Sequence, residues 1–63
     1  MNQDDVIKIL KRYGWIDTGR GKGSHRVLIH PESGKVTTVP HNRELGKGVL
    51  AAIRRQTEID EIR

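Results

Sequence analysis

Apolar positions along the chain change period from one segment to the next, and each change marks an element. Val6, Ile9, Leu10 and Tyr13 recur at the three-and-four spacing of a helix. Asn2 stands where an N-cap belongs, Asp4 and Asp5 fall in the first turn, and Lys11 and Arg12 fall in the last. All five suit the helix ends and dipole, and Gly14 supplies the stop. Trp15-Ile16-Asp17-Thr18 then has the short, aromatic and β-branched character of a strand. Three glycines within Gly19-Arg20-Gly21-Lys22-Gly23 leave no regular element intact and predict a loop. A second strand, Ser24 to His30, meets the turn residues Pro31-Glu32-Ser33-Gly34 and returns as Lys35 to Val39, a β-hairpin. Pro40 is expected to end that third strand, with 42–46 as a linker. From Lys47 onward, Val49, Leu50 and Ile53 mark the apolar stripe of a second helix. Thr57-Glu58 then either caps a final short turn carrying Ile59 and Ile62, or the helix runs straight through; the pattern leaves both open.

The order helix, three strands, helix predicts an α+β fold of two layers, α-β-β-β-α. One antiparallel three-stranded sheet would carry both helices on one face and leave the other open. Strand alternation puts His25, Val27 and Ile29 on one side and Arg26, Leu28 and His30 on the other. If Val27 and Ile29 face the helices, His25 escapes burial only at the strand's end. If Leu28 faces them, His25 lies on the open face beside two exposed apolar residues, a patch suited to a protein partner. The second arrangement is the one expected here.

Sixty-three residues make a single domain, 1–63, of which only 33% are apolar, with Tyr13 and Trp15 the sole aromatics. So thin a core predicts help from self-association or a partner. The chain has no cysteine, which excludes disulfides and thiolate metal sites. Its longest apolar run, Val49 to Ile53, is far short of a membrane span, and Asn2-Gln3-Asp4-Asp5 is the opposite of a basic signal start. A cytoplasmic protein that does not engage membranes is expected.

Charge alters this picture because it is uneven. The net charge is +4, yet residues 20–55 hold eight Lys and Arg against two Glu, while residues 56–63 hold one Arg against three acids. A basic middle segment points to a polyanion, with a plain solvated surface as the bland alternative. His25, His30 and His41 show neither the spacing of a helical metal pair nor a neighbouring carboxylate cluster, so no metal or other cofactor is expected. The glycine loop lacks the Lys-Ser/Thr ending of a phosphate loop and precedes a strand, which argues against nucleoside triphosphates. What remains is Lys22-Gly23-Ser24-His25-Arg26, an imidazole between two cations at the mouth of a strand. Such a group suits one reaction: taking the proton of an RNA 2′-hydroxyl so that the oxygen attacks the adjacent phosphodiester. His41, Arg43 and Lys47 are further candidates for phosphate contact, with a structural role for His41 the stronger expectation.

At these residues the chain resembles the HicA toxin family, the small mRNA interferases of HicA/HicB toxin–antitoxin pairs. Gly14-Trp15, Gly23-Ser24-His25, His30-Pro31, Val39-Pro40-His41, Glu44-Leu45 and Lys47-Gly48-Val49-Leu50 with Ile53 carry the resemblance, in the family's order, over roughly residues 3 to 56. The resemblance implies a fold like a double-stranded-RNA-binding domain and ribosome-independent cleavage of mRNA, a reaction that needs no metal because its nucleophile is already in the substrate. It also implies an essential histidine at His25. The partner it implies is a HicB-type antitoxin that covers the active site, in a complex open to higher-order assembly. On this reading Arg20, Lys22, Gly23, Ser24, Arg26, His41, Arg43 and Lys47 form the RNA-binding set. Two competing readings use the same residues: a non-catalytic RNA-binding module, and a docking domain whose open sheet face binds protein.

Overall fold

The computed structural model describes residues 1–20 and 24–63. In chain order it holds α1 (Gln3–Arg12), β1 (Ile16–Asp17), β2 (His25–Ile29), β3 (Val36–Pro40) and α2 (Lys47–Thr57). The α-β-β-β-α order is as expected, and the strands form one antiparallel sheet in the order β1-β2-β3.

Helix α1 starts on a reciprocal cap. The Asp5 backbone N–H donates to Asn2 Oδ1 at 2.9 Å and the Asn2 N–H donates to Asp5 Oδ2 at 3.0 Å. It ends in a Schellman arrangement. The Trp15 N–H reaches the Leu10 carbonyl at 3.0 Å, the Gly14 N–H reaches Lys11 at 3.1 Å, and Gly14 has φ +90°. Its buried face is Gln3, Val6, Ile7 and Leu10, one position round from the predicted stripe. Tyr13 lies past the last turn, half-exposed, with its hydroxyl donating to Glu61.

Leu28 and Val39 are fully buried on the sheet face beneath the helices, and Thr37 beside them donates to Gln56 Oε1 of α2 at 2.6 Å. Pro40 ends β3, as expected, and is itself the last residue of the strand. Its register partner is His25, while the flanking His41 N–H donates back to the Ser24 carbonyl. Pro40 therefore sits at a position whose N–H would point off the sheet edge, where proline costs no ladder bond. Strand β1 is two residues long; Trp15 leaves it to enter the core, packed at 5.3 Å and 59° against the His30 ring.

Helix α2 stops at Thr57 because Glu58 turns left-handed, φ 60°, with its N–H on the Arg54 carbonyl at 2.7 Å. The chain then folds back and buries Ile59 and Ile62 in the same cluster as Val6, Leu10, Leu28 and Val39. This settles the C-terminal alternative in favour of a separate turn. Glu61 fastens it to α1 through Tyr13 and through Arg12 at 2.6 Å, and those bonds hold the Glu61 carboxyl below its ordinary range.

Candidate active site

Register fixes the two faces of the sheet. Leu28 pairs with Thr37 and Arg26 with Val39 on the helix side; His25 pairs with Pro40, Val27 with Thr38 and Ile29 with Val36 on the other. The expectation that Leu28 faces the helices holds. His25 is exposed on the open face, at the end of β2, in line with Val27 and Ile29. Ile16 at 53% exposure and Val36 at 52% flank Ile29 at the far end of β2 and extend an apolar surface along the same face.

The His25 ring has one near polar neighbour among the described residues: Nδ1 lies 3.3 Å from Ser24 Oγ. A hydroxyl both donates and accepts, so it can steady either neutral tautomer through Nδ1.

His41 comes to the same end of the sheet through its backbone bond to Ser24. Its orientation is set by a residue that the sequence did not single out. Gln3, only 6% exposed, donates through Nε2 to the Val39 carbonyl at 3.0 Å. That turns Gln3 Oε1 toward His41 Nδ1, 3.4 Å away. Because Oε1 only accepts, Nδ1 must carry the proton in that contact, which frees His41 Nε2. A glutamine in a helix's first turn has no distinguishing signal in a sequence; only docking of α1 on β3 gives it this position. Arg43 is exposed nearby, and it lines a small hollow of about 140 Å³ with Asn2, Gln3, Asp4, His41 and Asn42. Arg20 is exposed in the loop after β1, its N–H on Thr18 Oγ1 at 3.2 Å. Lys22 and Gly23 lie outside the described residues.

Two candidates do not join His25. Arg26 extends from the opposite side of β2 and pairs diagonally with Asp17, whose register partner is Leu28. Lys47 lies in the helix layer at the start of α2, lining a hollow with Leu50, Arg54, Asp60 and Arg63. Arg26 is adjacent to His25 along the chain and strand alternation turns it to the other face, whereas Lys47 belongs to the other layer.

The Asp17 carboxyl is held below its ordinary 3.8, foremost by the Gly19 N–H at 3.0 Å and also by Arg26, against the opposing effect of burial. A depressed carboxylate adds stability above its unfolded pKa and loses it as pH falls through the folded one. Asp17→Asn is therefore expected to be less stable than the parent at pH 7, with the gap shrinking below about pH 4 and closing in stronger acid. Urea midpoints across that range measure it; a gap independent of pH means the charge of Asp17 contributes nothing.

Residues 4–59 match the family model described as HicA toxin of bacterial toxin-antitoxin. No curated protein matches the chain.

Proposed function

The chain belongs to the HicA toxin family, as the toxin half of a toxin–antitoxin system that pairs with an antitoxin, and we propose that it is an endoribonuclease cleaving mRNA with His25 as its base. The observation that carries this reading is the exposed His25 imidazole at the end of the open sheet face, buttressed by Ser24 and with no hydrogen-bond partner for Nε2 among the described residues.

In the proposed reaction His25 takes the proton of a ribose 2′-hydroxyl. The 2′-oxygen attacks the adjacent phosphorus, the bond from phosphorus to the 5′-oxygen breaks, and that oxygen leaves with a proton from solvent, to which His25 gives up its own. The products are a 2′,3′-cyclic phosphate and a 5′-hydroxyl end. The nucleophile belongs to the substrate, so the scheme calls for no metal. Arg43 and Arg20, exposed and without a carboxylate partner among the described residues, would hold flanking phosphates, with His41 beside them. Lys22 and Gly23 complete the proposed set on their sequence position alone. The antitoxin would silence the enzyme by covering the apolar sheet face around Ile16, Val27, Ile29 and Val36 that runs up to His25.

The test is a labelled mRNA fragment and the same fragment carrying 2′-deoxyribose at the cleaved position, each incubated with the protein in EDTA. Cleavage of the first with a cyclic phosphate end, and none of the second, is the expected result. Binding of both without fragments would make the protein a non-catalytic RNA-binding module and end the nuclease reading.

A further inference from the structure

We infer that the groove between α2 and the C-terminal turn is a docking site for an acidic polypeptide segment. It lies on the helix layer, away from the open sheet face, and the inference goes beyond the ribonuclease reading without resting on it.

Two adjoining hollows form the groove. One of about 610 Å³ is lined by Lys47, Leu50, Arg54, Asp60 and Arg63. The other, about 510 Å³, is lined by Ala51, Arg54, Arg55, Glu58 and Asp60, so Arg54 and Asp60 join the two. Charge in the groove does not cancel. Glu58 is already engaged by Lys35 at 2.6 Å, whereas Lys47, Arg54, Arg55 and Arg63 have no ion-pair partner among the described residues. Four cationic side chains thus face one available side-chain carboxylate, Asp60.

Arg54 sits at the junction and is only partly exposed. One of its N–H groups donates to the Ile62 carbonyl at 2.8 Å. A neutral acceptor fixes the direction of the guanidinium without neutralising it, and the remaining donors stay open. An arginine ordered before its ligand arrives loses less rotamer freedom on binding.

The lining also discriminates between kinds of anion. It offers several cationic donors, one acceptor in Asp60, and an aliphatic floor from Leu50 and Ala51. A run of phosphates brings negative charge against Asp60 and nothing for the floor. An acidic peptide brings carboxylates to the cations, backbone N–H groups to Asp60 and aliphatic side chains to Leu50 and Ala51. Position matters as well. Ile62 and Leu50 belong to the core on the covered side of the sheet, while His25 points from its other side. A partner protein seated here would hold the chain whether or not the sheet face is occupied.

The experiment titrates the isotope-labelled full chain with two probes followed by NMR: a short synthetic peptide of alternating acidic and leucine residues, and a short 2′-O-methyl RNA that resists cleavage. The peptide is expected to shift the Arg54 side-chain N–H and the backbone amides of Lys47, Leu50 and Asp60, leaving the amide of His25 in place. Lys47→Glu with Arg63→Glu should weaken peptide binding about ten-fold or more. Lys8→Glu with Lys11→Glu, an equal charge change on exposed positions of α1, should weaken it far less. Absence of peptide binding, shifts confined to the sheet face, equal losses in the two double variants, or tighter occupation of the groove by the RNA would each overturn the proposal. None of these readouts depends on whether the protein cleaves RNA.

Discussion

His25→Ala is expected to lower RNA cleavage by about 10²–10⁴-fold, the usual contribution of a positioned acid–base group, and to leave thermal unfolding unchanged. Both halves follow from geometry. His25 is exposed at the end of β2, and its ring is within hydrogen-bond distance of Ser24 alone among the described residues. Removing it therefore opens no cavity and strands no buried group. A lost activity accompanied by a lost fold would say nothing about chemistry, which is why the melting curve belongs in the same experiment. Full cleavage by folded His25→Ala would remove the base from the mechanism. His25→Gln adds a second control: it keeps a polar side chain of similar reach but cannot carry a proton between groups near pH 7, so it should be as inactive as alanine.

The largest structural effect is expected at the opposite end of the chain. Ile62→Ala should cost about 2–5 kcal/mol, because Ile62 is fully buried and truncation leaves a hole that its neighbours fill only in part. In a domain of this size each kcal/mol lowers the melting temperature by about 4–8 °C, so the variant should melt far below the parent or not fold at all. The neighbouring Arg63 and Asp60 are exposed, and alanine at either should move the melting point little. A small effect at Ile62 would mean that the C-terminal turn only rests on the core. The expected loss means that the turn belongs to the folding unit, and that the groove it forms with α2 is as permanent as the fold.

The local elements were legible because their causes are local. The cap at Asn2, the acidic and basic ends of α1, the stop at Gly14 and the turn at Pro31–Gly34 are decided by a few consecutive residues, and each lies where the pattern placed it. Pro40 ends its strand as expected, yet it does so as a paired residue, because proline is tolerated at an edge position and edges exist only once strands have paired. The stripe of α1 shifted by one residue for a similar reason. Ile7 and Ile9 are equally apolar, and docking on the sheet selects Ile7 as the more buried.

For the candidate site, the sequence by itself determined that His25 begins a strand after a glycine loop, amid a basic middle segment, in a chain of α-β-β-β-α order. Only the tertiary structure decided that His25 faces outward, because a strand pattern is equally satisfied by either face until the helices cover one of them. The same step sent Arg26 to Asp17, brought His41 and Gln3 to the His25 end of the sheet, and folded Ile59 and Ile62 back to build the basic groove. Helix signals and turns act over a few residues and can be read along the chain. Which charges meet depends on layers that form only when residues far apart in sequence pack together.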